Sequence, residues 1–175
     1  MIAGSEMAVV DANAAALGVS QKQLMEASGN AIARVARELA DSGESITVVA
    51  GRGNNGGDAF VAARFLEQFD VRILLLGRAD AIGTDIAREN WDALELADCS
   101  REVVRDSTAI DLGEPDLLVD AMLGTGVTGS LRQPEATAAE AINDSAATVL
   151  SVDVPSGFDA EAGTLPENAV DADHV

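Results

Sequence analysis

Short, nearly unbroken apolar runs recur along the chain: "ITVVA" at 46–50, "VRILLL" at 71–76, "DLLVDAM" at 116–122 and "TVLSVDV" at 148–154. A strand that is apolar on both sides is covered on both faces, which is the condition of a strand inside a parallel sheet. Between these runs lie stretches with apolar residues at helical spacing, so strands alternate with helices and the chain reads as α/β. A weaker strand is expected near 102–105. Right-handed crossovers then put every strand-to-helix loop on one edge of the sheet. In an open sheet of this kind, ligands bind at that carboxyl edge.

The helical stretches follow from their spacing. Residues 5–17 carry Met7, Val10, Ala14 and Leu17 on one side. Ser20 followed by Gln23 forms a capping-box pattern, opening a helix with Leu24, Ala31, Val35 and Leu39 as its expected apolar stripe. Val61, Phe65 and Phe69 mark a third helix, with its start expected near Gly57. Ile86, Trp91 and Leu94 mark a fourth over 84–97, and Pro134 suits the first turn of a fifth ending near Asn143. The terminal "NAVDADHV" reads as the approach to another strand, so residues 1–175 are expected to be one domain cut short at its C-terminal end.

Composition removes several classes of function. With 11 basic and 30 acidic residues the formal net charge is −19, which gives no basic face for nucleic acid. Lys22 is the only lysine, and acidic excess with lysine depletion suits the salt-rich interior of a halophile. No apolar run is long enough to span a membrane, and no amino-terminal signal pattern is present, so a cytoplasmic location is expected. Cys99 is alone and reads as packing. Tyrosine is absent and His174 is the single histidine, so proton transfer falls to carboxylates, Lys22 or water.

Three loops at the expected carboxyl edge carry the chemistry. In "AGRGNNGGDAF" (50–60), Gly51, Gly53 and Gly56 spell G-x-G-x-x-G ahead of a helix, a spacing that suits a phosphate at a helix N-terminus. An NAD-binding unit also wants an acidic residue at the end of its second strand, but Gly77 and Arg78 stand there and Asp80 comes late. That argues against an ordinary dehydrogenase, while Arg78 hints at a 2′-phosphate. The second loop repeats the spacing with Gly124, Gly126 and Gly129 and adds hydroxyls at Thr125, Thr128 and Ser130. It follows Asp120 at a strand end. The third, "SVDVPSGFDAEAG", puts Asp153 at a strand end and Ser156 in the turn. Asn55, Asp120 and Ser156 each offer an oxygen from a different loop. Two readings fit them: a site for a hard, weakly charged cation such as potassium, or a hydrogen-bond network tying the loops together.

Taken together, "AGRGNNGGDAFVAARFL", "LLVDAMLGTGVTGSLRQP" and "VLSVDVPSGFDAEAG" resemble the NAD(P)H-hydrate epimerase family, the YjeF amino-terminal domain. The opening "EMAVVDANAAALGVSQKQLMEASG" resembles that family's first helices. The resemblance implies a Rossmann-like three-layer α/β/α sandwich with a mostly parallel sheet, commonly as a homodimer. It implies an isomerase that interconverts the R and S forms of hydrated NADH and NADPH, coupled to an ADP- or ATP-dependent dehydratase that is fused in some organisms. By position, Asn54, Asn55, Gly56, Gly57 and Asp58 would contact the hydrated cofactor, with Gly124, Thr125, Gly126, Val127, Thr128, Gly129, Ser130 and Asp153. Potassium would lie on Asn55, Asp120 and Ser156. Ala59 departs from the glycine usual after the Asn-Asn-Gly-Gly-Asp run. For proton transfer at the hydrated carbon, Asp153 is the first candidate and Asp120 the second. The rival expectation is a non-catalytic nucleotide-binding or scaffold module of the same fold.

Overall fold

The computed structural model describes residues 4–97, 99–126, 129–160 and 162–175. Helices α1 (Gly4–Ala16) and α2 (Gln21–Leu39) come first. Ser20 and Gln23 form the expected reciprocal cap. The Ser20 Oγ accepts from the Gln23 N–H at 3.3 Å, and Gln23 Oε1 accepts from the Ser20 N–H at 2.8 Å.

The buried seam of α2 is not the expected one. Met25, Gly29, Ala33 and Ala36 face inward, whereas Leu24, Val35 and Leu39 are only half-buried and Ala31 is exposed. The reason is close helix packing. A Cβ on Gly29 would stand 2.4 Å from Val61 Cβ, so small residues line the contact and larger ones flank it. The helix expected over 5–17 is α1, which ends at Ala16 with Leu17 in the turn beyond it, and its apolar side is not covered: Met7, Val10 and Leu17 remain exposed.

Strands β1 (Ser45–Ala50), β2 (Asp70–Leu76), β3 (Ser100–Val104), β4 (Leu117–Ala121) and β5 (Thr148–Ser151) form a parallel sheet in the order β3-β2-β1-β4-β5. Helices α3 (Asn54–Arg64) and α4 (Asp85–Ala93) pack with α2 on one face, around Phe60, Ile73 and Trp91. Helix α5 (Glu135–Asn143) covers the other, over Val49, Leu74 and Leu118. Burying one such side chain stabilises the fold by about 1.5–3 kcal/mol. The three layers are those of an α/β/α sandwich. The chain leaves β1 toward β2, then returns to lay β4 on the other side of β1, so the strand order reverses between β1 and β4 and opens a crevice at their carboxyl ends. Near the terminus, His174 makes an isolated parallel bridge to Leu150 of β5. Among the described residues no helix is long and apolar enough to cross a membrane.

Candidate active site at the carboxyl edge of the sheet

The first loop is locked to the second. Gly51 follows β1 so close to the end of β4 that a Cβ there would lie 1.9 Å from the Met122 carbonyl oxygen. A Cβ on Gly56 would lie 2.1 Å from the Gly51 carbonyl oxygen. These glycines serve chain-to-chain approach before any phosphate arrives. Helix α3 starts at Asn54, three residues before the expected Gly57, because Gly53 is its N-cap. Gly53 supplies no side-chain cap, so the first-turn N–H groups keep their capacity to bind an anion. Asn54 is exposed and accepts from the Thr84 hydroxyl at 3.0 Å. Gly57 sits against Met25 and Ala87. The Asn55 Nδ2 is buried and has no hydrogen-bond partner.

Asp120 is wholly buried in β4, and both of its oxygens are used. Oδ1 accepts from Ser156 Oγ at 2.6 Å and from the Met122 N–H at 3.2 Å. Oδ2 accepts from Ser151 Oγ and from the Ser156 N–H, each at 2.8 Å. Burial pushes its carboxyl pKa up, and the bonds from Ser156, Ser151 and Met122 pull it back. Ser156 also accepts from the Leu123 N–H at 3.0 Å, so one buried carboxylate and one serine fasten the second loop to the third. A buried carboxylate persists only when satisfied in this way.

Asp153 behaves differently. It lies two residues beyond β5, exposed, not at the end of a buried strand as expected. Its φ of +70° is the only positive one among the described non-glycine residues, a conformation that costs energy and is held by its surroundings. Its Oδ2 accepts from the Thr125 N–H at 2.9 Å. Gly124 makes room for this: a Cβ there would stand 2.6 Å from Asp153 Oδ2 and 3.6 Å from Asn55 Cγ. Asp58, in the first turns of α3, is partly buried. Burial first, and then the charge of Asp153, push its carboxyl up to about 7. The Asp58 carboxyl is therefore partly protonated at neutral pH, a condition suited to acid–base work. Thus Asn55, Asp58, Gly124, Thr125 and Asp153 gather from three loops. Gly126 and Gly129 meet no atom within 4 Å among the described residues, Ser130 is exposed, and Val127 and Thr128 lie outside the described residues.

Residues 21–175 match the family described as YjeF-related protein N-terminus. The chain belongs to that family. It is 44% identical to a bifunctional NAD(P)H-hydrate repair enzyme Nnr of Methanothermobacter thermautotrophicus, across 96% of this chain and 34% of the relative. It is 38% identical to an NAD(P)H-hydrate epimerase of Cenarchaeum symbiosum, across 98% of this chain and 81% of the relative. The chain thus spans about a third of the length of the bifunctional relatives that head the comparison, at 34% and 33%. The crystal structure of the yeast protein ynu0 superposes with a TM-score of 0.84 over 98% of this chain and 77% of that one, at 22% identity, which bears out the fold.

For this member of the family the oxygen set suits a weakly charged cation. Among the described residues no group of three or more His, Cys, Asp or Glu side chains gathers. Asn55 is the telling residue: its buried, unpartnered amide gains a partner if turned so that Oδ1 faces a cation. The Ser156 hydroxyl can donate to Asp120 and accept from the Leu123 N–H while still offering one lone pair, whereas each Asp120 oxygen already accepts two hydrogen bonds.

Two features escaped the sequence reading. In sequence Ser151 reads as a strand residue, yet it donates to Asp120; a hydroxyl in the apolar run "TVLSV" is the available signal. The proton-holding environment of Asp58 had no signal, because it depends on burial by distant segments.

Proposed function

We propose that this chain is the epimerase module of NAD(P)H-hydrate repair, interconverting the R and S hydrates of NADH and NADPH. The observation that carries the reading is the Asp153 carboxylate, fixed by the Thr125 N–H against Gly124 at the crevice of the sheet, with Asn55 at the same glycine and the partly buried Asp58 carboxyl within reach of its charge. The printed names of the relatives support the substrate.

The hydrated ring carries a hydroxyl at C6, next to the ring nitrogen. A carboxylic acid protonates that hydroxyl, the C–O bond breaks, and water leaves as the nitrogen lone pair forms an iminium-like cation. The paired carboxylate stabilises that cation. Water then adds to the opposite face and returns its proton to the carboxylate. Asp153 stands at the opening with one oxygen fixed by Thr125, and Asp58 carries the proton at neutral pH. Asp120 is enclosed and accepts four hydrogen bonds, so its role is to hold the loops and to supply negative charge toward a cation. The first-turn N–H groups of α3 and the open end of the second loop take the dinucleotide's phosphates and ribose.

Potassium is the proposed cation, held by Asn55, Asp120 and Ser156, and it supplies positive charge against the buried carboxylate. Exposed Val9, Val10 and Leu17 support a homodimer through α1. A cytoplasmic enzyme working with an ADP- or ATP-dependent dehydratase, fused or separate, completes the reading, and the salt-rich interior of a halophile suits its charge of −19.

The test mixes both hydrates with an S-specific dehydratase and follows recovery of the R fraction. The protein is expected to accelerate recovery, with potassium raising the rate and Asp153→Asn removing most of it. Recovery at the spontaneous rate with the protein present rejects the proposal.

A further inference from the structure

In a chain with a formal charge of −19, three arginines stand together at the carboxyl ends of three neighbouring strands. Arg52 follows β1, Arg78 follows β2 and Arg105 follows β3. The Gly77 N–H donates to the Val104 carbonyl oxygen at 2.8 Å, which sets the chain entering Arg78 beside the chain entering Arg105. Asp80 is paired with Arg78 through both carboxylate oxygens. Its carboxyl is held below the usual carboxylate range, first by that bond to Arg78 and also by the charge of Arg105. Arg52 reaches the same place from the other side. Its side chain lies across Gly77, where a Cβ would come within 3.0 Å of Arg52 Cδ and Nε. Its far end is 3.9 Å from Glu135, at the start of α5. The shelf over β2 and β3 therefore holds three arginines, with Asp80 paired to Arg78 and Glu135 at the far end of Arg52.

We propose that this shelf is a phosphomonoester subsite for the 2′-phosphate of hydrated NADPH, and that it makes the phosphorylated hydrate the preferred substrate. The proposal rests on the hydrate reading above and extends it to the adenosine end. In a sheet wound this way the adenosine ribose lies at the end of the second strand. A carboxylate there accepts from the 2′-hydroxyl and repels a 2′-phosphate, whereas an arginine takes the phosphate. Here the strand ends in Gly77 and Arg78, and Arg105 adds a second guanidinium. The Arg78–Asp80 pair is no obstacle, because both side chains are more than half exposed at 68% and 63%. Such pairs contribute little, while a dianionic phosphate offers a guanidinium shorter, bidentate bonds. The span also fits. From β5, near Asp153, to β2 is three strand spacings, about 14 Å. A dinucleotide lying across the strand ends covers that distance, passing Arg52 at its pyrophosphate.

The experiment uses the wild type, Arg78→Ala, Arg105→Ala and Asp80→Asn, all at exposed positions, with Arg34→Ala on α2 as control. Calorimetry at one fixed, low salt concentration measures binding of adenosine 2′,5′-bisphosphate and of adenosine 5′-monophosphate. Steady-state kinetics measures KM for each hydrate. The wild type is expected to bind the bisphosphate at least about tenfold more tightly than the monophosphate, as loss of one charged hydrogen bond would predict. Either arginine variant removes most of that preference and raises KM for the NADPH hydrate about tenfold, leaving the NADH hydrate unchanged. Asp80→Asn sharpens the preference, and the control keeps it. Equal binding of the two nucleotides by the wild type, or equal losses for both ligands in the variants, overturns the subsite. Arginine-dependent bisphosphate binding without epimerisation of either hydrate upholds the subsite and rejects the epimerase reading. Epimerisation of both hydrates with equal KM does the reverse.

Discussion

The first and second loops both spell G-x-G-x-x-G, and their glycines do different work. In the first, Gly51 and Gly56 are pressed against backbone: an added Cβ would come to 1.9 Å from Met122 O and 2.1 Å from Gly51 O. In the second, Gly124 is pressed against the Asp153 carboxylate, and Gly126 and Gly129 face nothing within 4 Å among the described residues. One loop is part of the packed frame. The other is tight at its start, where it holds a side chain, and open at its end, where a ligand has room. Identical spacing therefore does not mean identical purpose, and what each glycine meets decides between frame and site.

The largest effect is expected from Gly51→Ala. The methyl group would overlap a carbonyl that cannot swing aside, since Gly51 N–H is also bonded to Ala121 O at 3.0 Å. The cost should exceed about 3 kcal/mol, lowering the melting temperature by roughly 10 °C or preventing folding. Thermal denaturation checks it, and a stable Gly51→Ala protein would break the view of the first loop as frame. Next comes Gly124→Ala, where the clash is with a side chain at 2.6 Å. Asp153 would move off the Thr125 N–H, so epimerase activity should fall by about 10²-fold or more while the melting temperature changes little. A matching loss of stability and activity would place Gly124 in the frame as well.

The contrast between frame and site also explains what the sequence made legible. The sheet could be read because β1, β2 and β4 are apolar on both faces, and the cap of α2 because Ser20 and Gln23 are three residues apart. The seam of α2 could not, since hydrophobicity pointed to Leu24 and Leu39 while tertiary approach selected Gly29 and Ala33. In the site, residue types at loop positions singled out Asn55, Asp120, Asp153 and Ser156. Their geometry was hidden. Nothing local says that Asp120 is sealed by four donors while Asp153 stands exposed with a φ of +70°. Both are aspartates near the end of apolar runs, and burial by other segments separates them.

A smaller effect follows from Asp58, which sits where frame and site meet. Its carboxyl is raised from 3.8 to about 7, by burial first and by Asp153 second. A carboxyl with a folded pKa above its unfolded value favours the folded state fully when protonated. That contribution is present below about pH 4 and is lost as pH rises toward 7. Wild type should therefore lose stability over this interval relative to Asp58→Asn, measured as urea midpoints at matched pH. The activity of the wild type should decline above pH 7 as the proton leaves. Parallel midpoint curves for the two proteins would separate Asp58 from any proton-holding role.

The smallest effects are at the open end of the second loop, and they test the contrast most finely. Gly129 has a φ of +86° and open space around it, so Gly129→Ala should cost about 1–2 kcal/mol from backbone conformation alone. Gly126 has neither a positive φ nor a neighbour, so Gly126→Ala should leave stability within about 0.5 kcal/mol. The useful readout at Gly126 is therefore KM. If the space above it is where the dinucleotide lies, one methyl group raises KM for the hydrate and leaves the melting temperature unchanged. If KM and melting temperature both stay fixed, the open end is a connector, and the site narrows to Gly124, Thr125 and the carboxyls they face.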